Sequence, residues 1–408
     1  MRHPVRPLLP MSQPPGATPA PLRRADGIRR WRNVPAVALL LGLLAACGGN
    51  AEPGEQGNDR GATPRDTVAI GVALDPARPG MESIYQGVEL AVAELNAGRG
   101  TGPAIVMRRT PGDVSSAIDI ATRLQRDPSV VAVVGHPESG TSLEALPVYE
   151  DVEHGGEHAV AMVSPTATSA QLTGRSKWFF RICPTDLSAS EAVARYVVDS
   201  LKLRRASVIY RNDSYGRDWT KAFAASFLAA GGTVLQRDPY VKDATEWAAY
   251  AAYIRQLGVE VLLFPGSTED AVMAIRALRA AGAGDVAFVG GDAVSGLADE
   301  AEEFAGARYT AFFDALQPAS AEARAFIATF QRTYGRLPDQ RAALAYDAAT
   351  IIGLAIRDVG TDRRRIRDAI ARVGNGRAAL DGAAGRVVFD ADQDAVDKSV
   401  VVTTVGAR

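Results

Sequence analysis

The chain has 408 residues, of which 47% are hydrophobic and 23% are charged, and this composition excludes a disordered chain and a membrane protein with many spans. Because a single hydrophobic core rarely grows to this length, we expect two domains. The 45 basic and 47 acidic residues give a net charge of -2, and no long basic run follows the N-terminal region, so we expect no nucleic-acid partner.

The N-terminal region differs in composition from the rest of the chain. An apolar run, Val34 to Ala46, follows a basic block and ends in small side chains. The basic block consists of Arg23, Arg24, Arg29, Arg30 and Arg32. This order is typical of an export signal, and the apolar run is too short to cross a bilayer as a helix. We therefore predict a signal peptide over residues 1–46 and an extracytoplasmic location, periplasmic or at the cell surface.

The segment Leu44-Ala45-Ala46-Cys47 resembles the lipobox of bacterial lipoprotein signals, in which the cysteine is acylated. The resemblance implies that lipid on Cys47 anchors the chain to a membrane, with residues 47–65 as a flexible tether. The alternative is an ordinary secretory signal with a chance cysteine. With Cys47 lipidated, Cys183 has no partner for a disulfide, and we expect it to be a buried apolar residue.

From Thr67 onward, short apolar runs alternate with stretches of helical periodicity, which predicts parallel sheets with crossover helices. The first predicted strands are Thr67 to Ala73, Ile105 to Arg109, Val130 to Val134 and Val160 to Val163. The helices between them are predicted over Tyr85 to Asn96, Ser115 to Arg126 and Thr141 to Glu150. This pattern predicts one doubly wound lobe.

A second round of the same pattern predicts a second lobe. Its predicted strands are Ser207 to Tyr210, Thr233 to Gln236, Val259 to Phe264 and Val286 to Val289. Its predicted helices are Gly216 to Ala230, Glu246 to Leu257 and Glu269 to Ala281. After Tyr309 come three helices and two short strands, namely Ala321 to Tyr334, Ala342 to Val359, Arg363 to Val373, Arg386 to Phe389 and Val400 to Thr403. These last helices have no sheet of their own, so we expect them to pack on one of the lobes.

Polar segments follow two strands of the first lobe, at the sheet edge where ligands bind in open parallel sheets. Gly135-His136-Pro137-Glu138-Ser139-Gly140-Thr141-Ser142 follows the third strand, and Ser164-Pro165-Thr166-Ala167-Thr168 follows the fourth. The spacings Thr141 to Glu144 and Thr168 to Gln171 are those of a capping box, which predicts two helix starts at one crevice. Free backbone N–H groups and hydroxyls at helix starts suit a carboxylate.

The second lobe offers the opposite charge at its strand ends. The segments there are Arg211-Asn212-Asp213-Ser214-Tyr215-Gly216, Pro265-Gly266-Ser267-Thr268 and Gly290-Gly291-Asp292. A carboxylate at Asp292 suits an ammonium group, the two glycines before it let the backbone approach a ligand, and Tyr215 suits an apolar side chain. Because a buried charge is costly unless it is paired, receptors for both charges predict a zwitterionic ligand. The alternative for each segment is that its Ser, Thr or Asp only caps a helix.

Seven short segments form an ordered set along the chain. They are Gly135-His136 with Ser139-Gly140-Thr141-Ser142, Tyr149-Glu150, Ser164-Pro165-Thr166-Ala167-Thr168, Phe180-Arg181-Ile182-Cys183-Pro184-Thr185-Asp186, Tyr215-Gly216, Gly290-Gly291-Asp292 and Ala345-Tyr346-Asp347-Ala348. In order and spacing this set resembles the periplasmic leucine/isoleucine/valine-binding proteins of ABC transporters. The resemblance runs from about Thr67 to about Thr404 and implies an α/β fold of two doubly wound, Rossmann-like lobes joined by a three-stranded hinge, the type I periplasmic-binding fold.

The resemblance also implies the domain organisation and the mode of action. It implies an N-terminal lobe of residues 66–185 and 314–382 and a C-terminal lobe of residues 186–313 and 383–408. The hinge crossings are expected near Pro184 to Leu187, Ala311 to Ala315 and Asp381 to Arg386. It further implies a monomeric binding protein without cofactor or catalysis, which closes on an amino acid or a related zwitterion or carboxylate and presents it to an ABC permease.

The family's ligand-binding residues carry over to matching positions. The ligand carboxylate is expected at Ser139, Thr141, Ala167 and Thr168, the ammonium at Asp292, and an aromatic wall at Tyr215. The full predicted set is Ser139, Gly140, Thr141, Ser142, Ala167, Thr168, Tyr215, Ser267 and Asp292. Ser267 stands where many relatives have a tyrosine, and extra residues are inserted around His154 to His158. The side-chain specificity of the family therefore does not carry over to this chain.

Two apparent metal motifs are better explained as loops. His154 and His158 have a spacing that suits zinc on a helix, but Gly155-Gly156 argues against a helix there. Asp390 to Asp394 resembles the start of a calcium loop, but Ala395 occupies the place of the required glycine. We therefore expect no metal site.

Catalytic motifs are also missing from the sequence. No phosphate-binding loop follows a strand, and no Ser-His-Asp set can be assembled with His136, His154 or His158. Two alternatives to a transport protein remain open: a binding protein that reports its ligand to a receptor, and an amidase or other hydrolase on a similar scaffold.

Overall fold

The computed structural model describes residues 67–78, 80–241 and 246–406. The predicted signal peptide, the tether and the lipid attachment at Cys47 lie outside the described residues. Within the described ranges, no helix is both long enough and apolar enough to cross a membrane.

A five-stranded parallel sheet forms the first lobe, with the strand order β2-β1-β3-β4-β5. Its strands are β1 (Thr67–Ala73), β2 (Ala104–Arg109), β3 (Val130–Gly135), β4 (Ala161–Ser164) and β5 (Phe179–Arg181). The helices between them are α1 (Glu82–Ala97), α2 (Ala117–Arg126) and α3 (Ser139–Tyr149), with short 3₁₀ helices over Val152–His154 and Ala170–Leu172. The predicted strands and helices of this lobe are confirmed to within a few residues, whereas β5 was not predicted.

Alternate side chains of β1 face two different helix layers, which is why its sequence is almost continuously apolar. Val68, Ile70 and Val72 lie in one hydrophobic core and Ala69 and Ala73 in another. Helices therefore cover both faces of the sheet, and its carboxyl edge is left as the open edge where loops can form a site.

A six-stranded sheet forms the second lobe, with the strand order β13-β10-β9-β8-β6-β7. Its strands are β6 (Arg205–Arg211), β7 (Thr233–Tyr240), β8 (Val261–Phe264), β9 (Ala287–Gly290), β10 (Arg308–Ala311) and β13 (Val401–Thr404). Strands β6 to β10 pair in parallel, and β13 pairs antiparallel with β10. The helices are α4 (Asp186–Arg195), continued by a π-helical turn over Tyr196–Ser200, α5 (Ser214–Ala229), α6 (Trp247–Leu257), α7 (Thr268–Ala280) and a 3₁₀ helix over Asp292–Glu300.

The helices after the second sheet return to the first lobe, as expected. They are α8 (Ala321–Tyr334), α9 (Gln340–Val359) and α10 (Arg363–Ala371), and they are followed by the hairpin strands β11 (Leu380–Gly382) and β12 (Gly385–Val387). Helix α9 lies so close to α1 that a Cβ atom on Gly87 would be 2.2 Å from the carbonyl oxygen of Ala342. Because Gly87 has no side chain, the start of α9 is held against the first lobe beside the crevice.

The chain passes between the two sheets at the positions where strands change sheet. It leaves the first sheet after β5, leaves the second after β10, and enters the second again at β13. Ala383, Val387 and Phe389 belong to the hydrophobic core of the first lobe, which favours a third crossing after Ala395, later than the expected Asp381 to Arg386. The exact lobe boundaries stay predictions.

Candidate functional site

A cavity of about 730 Å³ opens between the carboxyl edges of the two sheets, a volume within the range of roughly 300–1,000 Å³ that is usual for small-molecule sites. Both lobes contribute predicted site residues to its lining. These are Ser139, Gly140 and Thr141 from the first lobe and Tyr215, Ser267 and Asp292 from the second. The remaining predicted residues, Ser142, Ala167 and Thr168, are fully buried and do not line the cavity.

The first-lobe wall of the cavity is the N-terminus of α3. The helix begins at Ser139, and no side chain caps it, so its first backbone N–H groups have no partner within the helix. The predicted capping box from Thr141 to Glu144 is not formed, because Thr141 lies inside the helix and donates its hydroxyl to the carbonyl oxygen of Glu138 at 3.1 Å. The result is an uncapped helix start at the cavity, which suits an anion better than a capped one.

The segment after β4 contributes Thr166 to the cavity rather than Thr168. Ser169, not Thr168, caps the following 3₁₀ helix by accepting from the backbone N–H of Gln171 at 3.2 Å. The backbone N–H of Ser169 also donates to the Oγ of Ser139 at 3.1 Å, and its hydroxyl donates to Asp218 on α5. This segment therefore fixes the cavity wall and also connects the two lobes.

The second-lobe wall is built around Asp292, which is 6% exposed. Its Oδ1 accepts a hydrogen bond from the hydroxyl of Tyr215 at 3.1 Å. A Cβ atom on Gly291 would lie 2.0 Å from that hydroxyl oxygen. The two glycines were expected to let the backbone approach a ligand, but Gly291 makes room for Tyr215 instead.

The carboxyl group of Asp292 has an altered acidity. Burial raises its pKa from 3.8 to about 6, although the hydrogen bond from Tyr215 and the positive charge of Arg341 oppose this rise. A carboxylate that is destabilised by burial gains most from a cation that reaches it, because an opposite charge favours the ionised form.

Ser267 caps helix α7 at the edge of the cavity. Its Oγ accepts from the backbone N–H of Asp270 at 3.3 Å and caps α7, and its hydroxyl donates to the Asp270 carboxylate at 2.9 Å. Apolar side chains of Met81, Val272 and Met273 complete this part of the lining.

The family model for periplasmic binding proteins matches residues 68–408. The chain belongs to the periplasmic binding protein family. Among curated relatives, the Leu/Ile/Val-binding protein homolog 3 of Brucella melitensis biotype 1 is 28% identical over 218 residues, which are 52% of this chain and 57% of that protein. The Leu/Ile/Val-binding protein of Escherichia coli K12 is 22% identical over 254 residues, 61% of this chain and 65% of that protein. The alignments to the first of these relatives thus span little more than half of the relatives' length.

Solved structures show the same fold. The branched-chain amino acid substrate-binding protein LivJ of Streptococcus pneumoniae, in complex with isoleucine, superposes with a TM-score of 0.74 at 24% identity and covers 83% of this chain and 96% of its own. A solute-binding protein of R. palustris, in complex with 4-hydroxybenzoate, gives a TM-score of 0.73 at 20% identity over 84% of this chain and 94% of its own. This periplasmic binding protein therefore has the two-lobed α/β fold that the sequence predicted.

The side chains that suggested metal motifs have other partners in this periplasmic binding protein. The Nδ1 of His154 lies 2.7 Å from the Asp151 carboxylate at the end of a 3₁₀ helix, and Asp394 pairs with Arg181. In the described part of the chain, no group of three His, Cys, Asp or Glu side chains is arranged to hold a metal ion.

Sequence reasoning did not identify three arginines that line the cavity. Arg78 forms an ion pair with Glu138, and the Nε of Arg211 lies 3.2 Å from the Asp213 carboxylate. The third is Arg341, near the start of α9. Arg78 follows β1, and reading the carboxyl end of β1 in the same way as β3 and β4 would have found it. No local pattern marks Arg341, since the contact of α9 with the cavity depends on the tertiary fold.

A buried acid behind the cavity was also missed as a site candidate. Asp186 begins α4 after the capping residue Thr185, so in the sequence it is an ordinary first-turn acid. In the described part of the chain neither of its carboxylate oxygens has a hydrogen-bond partner. Burial raises its pKa well above the usual value, and the nearby charges of Asp292 and Asp218 raise it further. Asp186 therefore extends the acidic region of the second-lobe wall into the interior.

Proposed function

We propose that this protein is the substrate-binding component of an ABC transporter and that its lobes close around a small zwitterion, an amino acid in the first place. The observation that carries the proposal is the shared cavity, where the uncapped start of α3 and the buried carboxyl group of Asp292 lie on opposite walls. One wall suits an anion and the other a cation.

The two ends of the ligand are assigned to these two walls. The α-carboxylate is expected to accept hydrogen bonds from the Ser139 hydroxyl and the first backbone N–H groups of α3. The ammonium group is expected to donate to Asp292 beside the Tyr215 hydroxyl. Because the ammonium is an opposite charge, its arrival should lower the pKa of Asp292 and keep this group ionised.

The ligands of the neighbouring structures agree with this division. Isoleucine, bound by the S. pneumoniae protein, has a carboxylate and an ammonium, whereas 4-hydroxybenzoate, bound by the R. palustris protein, has a carboxylate and no ammonium. A carboxylate is thus the shared feature. A buried acid at Asp292 is the reason to favour an amino acid for this chain.

The proposal includes the location and the partners of the protein. Lipid on Cys47 would hold the monomeric binding protein outside the cytoplasm near its ABC permease, which would receive the ligand from the closed lobes. No catalytic step is assigned to the protein, since the relatives are described as binding proteins.

Replacement of Asp292 by asparagine tests the assignment of the ammonium. Loss of a charge-assisted hydrogen bond costs about 1.5–3 kcal/mol, so Asp292→Asn should weaken the binding of isoleucine about tenfold to a hundredfold. The binding of 4-hydroxybenzoate, which has no ammonium, should change by less than about threefold. Isothermal titration calorimetry of the purified protein measures both affinities.

The matched control is Asp199→Asn, which removes an exposed aspartate at the end of the second-lobe helix. It should leave both affinities unchanged. An equal loss for the two ligands in the Asp292 variant would remove Asp292 from the ammonium role, and turnover of an amide or ester by the purified protein would contradict the proposal of a binding protein.

A further inference from the structure

Arg341 differs from the other arginines of the cavity in having no partner among the residues that the structure describes. Arg78 and Arg211 are each paired with a carboxylate of the cavity wall. Arg341 also lines the cavity and is half-buried, but within the described residues it has neither a hydrogen bond nor an ion pair. An arginine held in this way can bind an incoming carboxylate through two parallel hydrogen bonds.

The guanidinium group lies near backbone of the first lobe. Arg341 is the second residue of α9, whose N-cap is Asp339 and whose first residue, Gln340, donates to the carbonyl oxygen of Asp292 at 3.0 Å. A Cβ atom on Gly80 would lie 3.4 Å from a guanidinium nitrogen of Arg341. The guanidinium group therefore lies beside the backbone that follows β1, on the first-lobe side of the cavity.

The nearness of Arg341 to Asp292 restricts the ligand. Gln340, the residue before Arg341, donates to the carbonyl oxygen of Asp292 at 3.0 Å, and the charge of Arg341 lowers the pKa of Asp292 against the effect of burial, so each charge acts on the other. When a ligand ammonium pairs with Asp292, it brings a second positive charge close to Arg341, and like charges disfavour each other. A ligand that also brings a second negative charge removes this conflict.

We propose that Arg341 binds the side-chain carboxylate of the ligand and that this protein selects an acidic amino acid such as glutamate or aspartate. The inference rests on the proposed function, because it uses the same cavity and the same assignment of the ammonium to Asp292. A branched apolar side chain at this place would remove water from the guanidinium group without replacing its hydrogen bonds, which is unfavourable.

The acidic residues of the cavity do not cancel this attraction. Glu138 and Asp213 are already paired with arginines. The other acids of the lining besides Asp292 are Glu144, Glu269, Asp299 and Glu300, and all four are exposed. Water and salt screen exposed charges strongly, so these acids act less on a bound ligand than the half-buried Arg341 does.

Calorimetric titration of the purified protein with L-glutamate, L-glutamine and L-leucine tests the proposal. Glutamine matches glutamate in shape but lacks the second charge. Because a charge-assisted contact is worth about 1.5–3 kcal/mol, we expect glutamate to bind about tenfold or more tightly than glutamine or leucine. In Arg341→Gln this preference should be lost through a weaker affinity for glutamate, while glutamine should change by less than about threefold.

Two further variants distinguish recognition from structure. Arg341→Lys keeps the charge and should retain part of the preference for glutamate, and Arg99→Gln, which replaces an exposed arginine outside the cavity, should retain all of it. The unfolding midpoint of each ligand-free variant should equal that of the wild type.

The outcomes separate this inference from the function on which it rests. Tight binding of leucine that Arg341→Gln leaves unchanged would overturn the role of Arg341 and leave the transport proposal standing. Tighter binding of L-lysine than of L-glutamate would also overturn it, by showing that the exposed acids dominate. If none of the amino acids bound, both proposals would be wrong.

Discussion

Two regions of this protein that hold buried charged groups satisfy them differently. One region lies between β5 and the C-terminal segment, where Arg181 is 0% exposed. Its Nε and Nη2 donate to the two carboxylate oxygens of Asp394 at 2.7 and 2.6 Å, and its Nη1 donates to the carbonyl oxygen of Ser169 at 2.8 Å. The whole guanidinium group thus has partners within the protein.

The buried carboxylate of Asp347 on α9 also has hydrogen-bond partners within the protein. Its two carboxylate oxygens accept hydrogen bonds from the backbone N–H groups of Ala383 and Ala384 at 2.7 and 2.8 Å. The positive charge of Lys398 also acts on it. This acid connects α9 to the hairpin of β11 and β12.

The cavity is the other region. Asp292 has a hydrogen bond from Tyr215, Arg341 has none in the described part of the chain, and the carboxylate of Asp186 behind them also has none there. Buried polar groups are normally paired, so the unpaired groups in the cavity mark the place where a ligand supplies the partners. The fully paired groups therefore stabilise the fold, whereas the groups of the cavity are arranged to bind a ligand.

The largest effect should come from breaking the satisfied pair between Arg181 and Asp394. Arg181→Met leaves a buried carboxylate without its cation, which typically costs about 3–5 kcal/mol of the free energy of unfolding. Urea denaturation measures this change.

Arg195→Met provides the control for that experiment. Its side chain is 66% exposed, and its ion pair with Glu191 is long at 4.0 Å, so it should change the free energy of unfolding by less than about 0.5 kcal/mol. A loss below about 1 kcal/mol for Arg181→Met would mean that the buried pair does not stabilise the contact between β5 and the C-terminal segment.

Asp347→Asn should have a smaller effect of the same sign. Asparagine has one acceptor oxygen, so one of the two N–H groups of Ala383 and Ala384 would lose its partner and face an NH₂ group instead. We expect a loss of about 2 kcal/mol in the free energy of unfolding. The control Asp381→Asn removes an exposed aspartate of β11, and an equal loss there would indicate a general weakening of the hairpin instead.

The sequence predicted the scaffold well because most elements have local signals. Helix α8 has the predicted bounds, since Ser320 caps its start and Gly335 ends it in the left-handed conformation. Strand β5 was missed because it has three residues and one of them, Arg181, resembles a surface residue until its partner Asp394 is known. Strand β10 and helix α4, which Thr185 caps, were also missed, so dependence on a distant partner explains only part of what was not predicted.

The same distinction applies to the candidate site. Ser139 and Asp292 lie in the segments that follow β3 and β9, so their place at the cavity was predictable from the carboxyl-edge rule. Thr168 follows β4 but is fully buried and does not line the cavity, and Ser169 rather than Thr168 caps the next 3₁₀ helix. The contribution of Arg341 depends on the return of α9 to the first lobe, which no local pattern specifies in detail.

The smallest expected change in the free energy of unfolding comes from replacing Asp292 in the absence of ligand. Burial raises the pKa of both Asp292 and Asp347 from 3.8 to about 6, so the folded state holds each proton more tightly than the unfolded state does. Each group therefore lowers the stability as the pH rises from about 4 to about 6, and either asparagine variant should flatten this slope. Above pH 6 the two variants should change the stability in opposite directions. Asp347→Asn breaks one of two backbone hydrogen bonds, whereas Asp292→Asn removes a charge for which Tyr215 supplies the one side-chain hydrogen bond among the described residues. One pKa unit corresponds to about 1.4 kcal/mol, and water that enters the cavity reduces the cost of ionising the carboxyl group. Asp292→Asn should therefore stabilise the ligand-free protein by about 1 kcal/mol at pH 8.

Urea unfolding at pH 4, 6 and 8 measures these differences. A destabilised Asp292 variant at pH 8 would show that the cavity satisfies its acid as fully as the hairpin contact satisfies Asp347.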